Sequence, residues 1–243
     1  MAIIGIIPAR YASTRFPGKP LALIHGKPMI QWVYERSRKA NLQKVVVATD
    51  DSRIQNAVLD FGGEVVMTSP HHQSGTERCA EVAEYLQVAA DDILINIQGD
   101  EPFICAEAIN QLILQFSNPR VALATLAKPF TGSENPENPN MVKVVRSQSG
   151  MALYFSRSAI PYYRNKEILP VFYKHIGIYG YRSATLQAIV KLPLSSLEDA
   201  EKLEQLRWLD NGYAIAVGLC NYESISIDTP EDLVRAEKMP LDI

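Results

Sequence analysis

The chain has 243 residues, 47% of them hydrophobic, enough to bury the core of one large domain or two closely joined ones. Its net charge of −3 excludes a general affinity for nucleic acid or anionic membrane, so any polyanion site must be local. Cys79, Cys105 and Cys220 are odd in number and lack the paired spacing of a zinc site or a disulfide framework, so they read as reduced structural thiols.

Residues 3–7 form a short β-branched run that Pro8 and Arg10 cut at once, which is not the pattern of a secretory leader. Similar runs recur at 45–48, 64–67, 92–97 and 121–126 and suit strands buried on both faces. Helical patterns at 29–39, 52–61, 75–86 and 106–116 fall between them. This alternation predicts an α/β fold with a doubly wound, mostly parallel, nucleotide-binding sheet over residues 1–128.

After Lys128 the rhythm breaks, and 131–140, rich in Pro, Asn, Gly and Glu, reads as an exposed excursion. Residues 141–146, 151–155 and 175–181 look like strands, and 171–181 alternates as a pleated edge does. Segment 129–182 is therefore expected to form a smaller mixed sheet and a dimerisation arm. Residues 183–243 are expected to complete one integrated domain, with an amphipathic helix at 197–211 and strands at 214–217 and 224–227. No apolar stretch approaches the roughly 20 residues of a membrane span, and the cytoplasm is the expected location.

Chemistry concentrates first in Pro8-Ala9-Arg10-Tyr11-Ala12-Ser13-Thr14-Arg15-Phe16-Pro17-Gly18-Lys19-Pro20. This loop follows the first strand and precedes a helix, where open α/β sheets bind ligands. Residues 1–39 carry Arg10, Arg15, Lys19, Lys27, Arg36, Arg38 and Lys39 against the single acid Glu35. Ser13 and Thr14 can offer hydroxyls to a triphosphate, and Arg10, Arg15 and Lys19 fixed cations. The order of residues is neither the G-x-x-x-x-G-K-[ST] phosphate loop nor the G-x-G-x-x-G dinucleotide fingerprint. A nicotinamide dehydrogenase loses support accordingly.

Two carboxylates are candidates for a metal. Asp100 follows the strand at 92–97, in Gln98-Gly99-Asp100-Glu101-Pro102, and would stand at the carboxyl rim facing the phosphate loop. Mg²⁺ takes one or two carboxylates, with waters and substrate phosphates completing its shell. The same pentapeptide can also be a simple turn. Asp228 precedes Thr229-Pro230-Glu231-Asp232, which has the form of a helix cap, and that cap explains Thr229 and Asp232 but not Asp228. Ser74 and Gly75 open a helix whose free N–H groups can meet a nucleotide, with Arg78 one turn further in. The adjacent His71-His72 reads as a solvated loop.

The run Ile-Pro-Ala-Arg-Tyr-Ala-Ser-Thr-Arg-Phe-Pro-Gly-Lys-Pro-Leu resembles the opening signature of the 3-deoxy-manno-octulosonate cytidylyltransferase (CMP-Kdo synthetase) family. Gly75-Thr76-Glu77-Arg78, Gln98-Gly99-Asp100-Glu101-Pro102, Tyr154-Phe155-Ser156-Arg157, Lys174-His175-Ile176-Gly177, Leu203-Glu204-Gln205-Leu206-Arg207 and Asp228-Thr229-Pro230-Glu231-Asp232 follow in that family's order.

The resemblance implies a nucleotide-diphospho-sugar transferase-like fold and a Mg²⁺-assisted reaction. CTP plus 3-deoxy-D-manno-octulosonate (Kdo) would give CMP-Kdo and pyrophosphate, for lipopolysaccharide biosynthesis, in a homodimer. It implies nucleotide contacts from Pro8, Ala9, Arg10, Ser13, Arg15, Lys19, Ser74, Gly75, Arg78 and Gln98, and metal contacts from Asp100 and Asp228. Lys19 and Arg15 would act with those aspartates in catalysis. For the sugar acid it points to Gln98, Arg157, His175, Tyr179, Glu204 and Gln205. On spacing alone, His175 can be a core residue, Tyr179 a packing aromatic, and Glu204 and Gln205 a solvated helix face. Activation of a related sugar acid, and nucleotide binding without catalysis, remain alternatives.

Overall fold

A computed structural model describes residues 1–12, 15–132, 134–165, 167, 171–223 and 225–240. The first half alternates as expected: β1 (Ile3–Ala9), α1 (Met29–Ser37), β4 (Lys44–Thr49), α2 (Ser52–Asp60), β5 (Val65–Met67), α3 (Gly75–Tyr85), β6 (Ile93–Asn96), α4 (Ala106–Leu114) and β7 (Leu123–Pro129). A two-stranded ribbon, β2 (Leu23–Ile24) with β3 (Lys27–Pro28), intervenes before α1. The rest supplies β8 (Lys143–Arg146), β9 (Ala152–Ser156), β10 (Tyr173–Arg182), α5 (Ser183–Ile189), α6 (Ser196–Glu201), α7 (Glu204–Asp210), β11 (Ala216–Leu219) and α8 (Pro230–Ala236).

Among the described residues nine strands share one sheet, in the order β11-β7-β10-β6-β1-β4-β5, with the β8–β9 hairpin attached to β10. β1 pairs parallel with both β4 and β6. The chain winds outward from β1 to β5 and then returns to β1's other side at β6. That reversal opens a crevice at the strands' carboxyl ends, beside Ala9 and Asn96.

The β-branched runs explain the layering. Along β1, β4 and β6, Ile4, Ile6, Val46 and Leu94 pack on one face with Cys79 and Val82 of α3, Leu186 of α5 and Trp208 of α7. Ile7, Val45, Val47, Ile93 and Ile95 pack on the other with Val33 of α1, Ile54 of α2 and Ile109 of α4. Period-two strands buried on both faces need helices above and below, and three helices on each side provide them.

Three expectations need correction. The strand anticipated as an edge, β10, runs antiparallel between β6 and β7 inside the sheet. Its polar positions mark internal partners rather than water: Lys174 Nζ lies 2.6 Å from Glu134 Oε1, and His175 Nε2 lies 3.0 Å from Thr125 Oγ1. The helix expected over 197–211 breaks at Lys202, whose φ of 52° is left-handed, giving α6 and α7. No strand forms in the described residues 225–227. Instead of a ladder partner, Ile227 N–H finds the carbonyl of Asp100 at 2.9 Å.

Candidate active site

β1 delivers the chain to the crevice at Pro8 and Ala9, and the loop beyond folds back on itself. Gly18, at φ 73°, donates its N–H to the Tyr11 carbonyl at 2.9 Å, with the Tyr11 ring packed against its α-carbon. A side chain at this left-handed position would be strained, so glycine lets the loop close. The turn aims Lys19 inward. Ser13 and Thr14 lie outside the described residues.

Beyond β6 the turn Gln98-Gly99-Asp100 comes close to β1. A Cβ on Gly99 would stand 2.7 Å from the Pro8 carbonyl oxygen, and one on Gly75 would stand 3.1 Å from Pro8 Cγ. These glycines let the phosphate loop, the Asp100 turn and the α3 N-terminus converge. Ser74 caps α3 by accepting from Glu77 N–H.

Lys19 Nζ lies 2.7 Å from Asp100 Oδ2 and 3.3 Å from Asp228 Oδ1, and Arg15 Nη2 lies 3.1 Å from Asp228 Oδ1. Two cations of the first loop thus meet two carboxylates from distant segments. Asp228 also precedes the cap foreseen in the sequence: Thr229 and Asp232 form a reciprocal capping box on α8, and Asp228's carboxylate stays outside it.

Pro8, Ala9, Arg10, Arg15, Lys19, Ser74, Gly75, Arg78, Gln98, Asp100 and Asp228 line one cleft. Arg78 is buried in its wall, donating to Thr68 Oγ1 and, at 3.1 Å, to Asp50 Oδ2. Of the residues associated with a sugar acid, Gln98 lines the same cleft. Glu204 adjoins it through Thr76, whose hydroxyl donates to Glu204 Oε2 at 2.7 Å, and burial raises the Glu204 carboxyl above its ordinary range. Tyr179 pairs in register with Asn96, and its hydroxyl is buried with no hydrogen-bond partner among the described residues.

His175 is half-buried, and desolvation pushes its imidazole down to about 3, so the ring is neutral near pH 7. Thr125 Oγ1 lies 3.0 Å from His175 Nε2 and within hydrogen-bond distance of the Ile176 and Ile178 carbonyls, at 3.1 and 2.8 Å. Gln205 is buried in the first turn of α7. Arg157 stands apart from the cleft lining, with its guanidinium donating to the carbonyls of Glu201 at 2.7 Å and Pro139 at 3.0 Å.

Sequence reasoning missed Pro20, His72, Gln73 and Gly99 in the lining. His72 is a correction: it is not a solvated loop residue but is bonded to Glu81, with Glu77 3.6 Å from Nδ1. No sequence spacing announces that pairing. Gln73 was legible, since it directly precedes the Ser74 cap.

Asp100 and Asp228 are the groups able to hold a divalent cation. Among the described residues no cluster of three or more His, Cys, Asp or Glu is arranged for a metal. Two hard oxygen donors already converging on one ammonium ion fit Mg²⁺, which draws its remaining ligands from water and substrate phosphates.

A mostly parallel, switch-point sheet with a cation-rich loop facing a carboxylate pair defines a nucleotidyltransferase. The cytidylyltransferase family model matches residues 4–223. The chain is 56% identical to the 3-deoxy-manno-octulosonate cytidylyltransferase of Parabacteroides distasonis over 97% of both chains, and 52% identical to that of Thermodesulfovibrio yellowstonii over 98% of both. It also resembles the solved structure of CMP:2-keto-3-deoxy-manno-octonic acid synthetase complexed with CTP, at TM-score 0.91 and 44% identity over 98% of this chain and 97% of that one. A cytidylyltransferase from Leptospira borgpetersenii, 16% identical over 98% of this chain and 85% of that one with TM-score 0.65, shares the fold. The chain belongs to the 3-deoxy-manno-octulosonate cytidylyltransferase family and has the nucleotide-diphospho-sugar transferase-like fold.

Proposed function

We infer that this chain transfers the cytidylyl group of CTP to 3-deoxy-D-manno-octulosonate, giving CMP-Kdo and pyrophosphate for lipopolysaccharide biosynthesis. The observation that carries this reading is the meeting of Arg15 and Lys19 with Asp100 and Asp228 in one cleft, in a chain 56% identical to a relative of that name.

The anomeric hydroxyl oxygen of the sugar attacks the α-phosphorus in line and gives up its proton to solvent, and the bond to the bridging oxygen breaks as pyrophosphate departs with its electron pair. No protein nucleophile is needed. Held by Asp100 and Asp228, Mg²⁺ would neutralise phosphate charge and polarise the phosphoryl oxygens. Lys19 and Arg15 stabilise the departing pyrophosphate, Arg10 attracts the polyphosphate, and the α3 N-terminus at Ser74 and Gly75 offers backbone donors to the nucleotide, with Arg78 bracing that wall. Ser13 belongs to the same nucleotide-binding loop in this reading.

Support for a polyhydroxylated acid acceptor comes from polar groups adjoining the cleft. Tyr179 Oη is buried and has no hydrogen-bond partner among the described residues, Gln98 faces the cleft, and Glu204 is held by Thr76. His175 and Gln205 complete that side, and Arg157, released from its carbonyl partners, supplies the guanidinium that a sugar carboxylate requires. The reading also places a homodimer in the cytoplasm. It is consistent with three free cysteines and with the absence, among the described residues, of a helix long and apolar enough to cross a membrane.

The test is pyrophosphate release from CTP with Mg²⁺ and each of Kdo, its 8-amino analogue and sialic acid. Release fastest with Kdo is the expected result. Release with another of these sugars alone would reassign the acceptor, and CTP binding without release would reduce the chain to a nucleotide-binding module.

A further inference from the structure

Asp228 stands at the end of a segment, 220–228, whose described residues have no regular secondary structure, yet its carboxylate reaches the same ammonium group as Asp100. Irregular backbone does not bring two like charges together unless something holds it. Three contacts do so. Glu223 is gripped by Lys128 Nζ of β7 and Lys174 Nζ of β10, both buried. Tyr222 Oη donates to Glu101 Oε2 at 3.2 Å. Ile227 N–H donates to the Asp100 carbonyl at 2.9 Å.

The last two contacts act on the Asp100 turn itself. Glu101 follows Asp100 directly and is only 6% exposed, so its carboxylate is held where solvent cannot substitute for Tyr222. One contact engages the residue beside Asp100 and the other its own backbone, and both come from the segment that ends in Asp228. Together they clamp the two carboxylate-bearing segments to each other, independently of the Lys19 side chain.

We propose that Tyr222 is a positioning residue for the divalent-cation site, fixing the spacing of Asp100 and Asp228 through Glu101 and so setting the affinity of the pair for metal. This rests on the reading that the pair holds Mg²⁺. A hydrogen bond to a buried carboxylate is charge-assisted, and partners that orient metal ligands typically govern affinity by a factor of ten or more. A loosened clamp lets the carboxylates separate, and the cation must then reassemble its site on binding.

The experiment is Mn²⁺ titration followed by electron paramagnetic resonance, on the full chain with and without CTP, for wild type, Tyr222→Phe, Asp100→Asn and Asp228→Asn. Tyr222→Phe is expected to weaken Mn²⁺ binding about tenfold and to raise the Mg²⁺ concentration needed for half-maximal activity by a similar factor. The KM for CTP at saturating Mg²⁺ should stay within about twofold, and the melting temperature in EDTA within a few degrees.

A lowered melting temperature with intact Mn²⁺ affinity would make Tyr222 merely structural and overturn the proposal. Should Tyr222→Phe not fold, Glu101→Gln tests the same clamp from the other side, with weakened Mn²⁺ binding expected and unchanged binding counting against it. If neither aspartate variant weakens Mn²⁺ binding, the metal reading itself fails and the proposal with it. If both do and Tyr222→Phe does not, the proposal alone fails.

Discussion

Lys19 Nζ lies 2.7 Å from Asp100 Oδ2, and the same ammonium is 3.3 Å from Asp228 Oδ1. A fixed cation this close to the paired carboxylates is where the charge of a departing pyrophosphate would build. Lys19→Ala removes a preorganised contact that strengthens in the transition state, at a cost of about 3 kcal/mol in kcat, which is roughly a hundredfold. Steady-state pyrophosphate release measures it. A kcat within about twofold of wild type would remove Lys19 from the chemistry.

Asp228 and Thr229 are neighbours with separable tasks. Thr229 caps α8 through the box with Asp232, whereas Asp228's carboxylate faces Lys19 and Arg15. Thr229→Ala should therefore lower stability by about 1 kcal/mol with activity largely kept, as read by denaturant unfolding. Asp228→Asn should leave stability within about 0.5 kcal/mol and abolish most turnover. Equal effects of both variants on turnover would mean that Asp228 acts only through the cap.

Much of this was legible because burial on both faces writes itself as β-branched runs, and because Arg10, Arg15 and Lys19 directly follow the first strand. Asp100 and Asp228 could be named as candidates, but what holds them together could not. The Ile227-to-Asp100 backbone bond is a tertiary contact with no local signature. β10 misled for a related reason, because Lys174 and His175 look like solvent-facing residues when Glu134 and Thr125 are out of view. The break at Lys202 hid inside an amphipathic pattern, since the left-handed position there is held by a lysine and not marked by Gly or Asn.

Gly99 offers a test of convergence without touching a charge. A Cβ there would sit 2.7 Å from the Pro8 carbonyl oxygen, a backbone atom that cannot rotate aside. In Gly99→Ala, β1 and the Asp100 turn must part, at a cost of about 1–3 kcal/mol. The melting temperature should fall and the KM for CTP rise together. An unchanged KM beside a lowered melting temperature would mean that the phosphate loop and the Asp100 turn need not touch for the nucleotide to bind.

The pH dependence of stability has its clearest source in His175. Burial holds its imidazole at about 3, against an ordinary value near 6.5 in the unfolded chain. Below pH 6.5 the unfolded chain takes up a proton that the folded chain refuses, so His175 destabilises the fold progressively as pH falls toward 3 and contributes nothing above pH 6.5. Glu134, held at about 2 by Lys174 and Thr131 despite opposing burial, acts in the same direction but only from its ordinary carboxylate range downward. From pH 6.5 to 5 His175 contributes a loss of about 2 kcal/mol, opposed by Glu204, whose raised carboxyl takes up a proton in the fold before it does in the unfolded chain, so the difference between wild type and a His175 variant is what isolates the imidazole. His175→Gln, whatever its absolute stability, should flatten urea-unfolding free energies across that interval relative to wild type. An identical slope in both proteins would mean that His175 takes up its proton in the fold as readily as in the unfolded chain, and would remove the neutral ring beside Thr125 from the account of the sugar side.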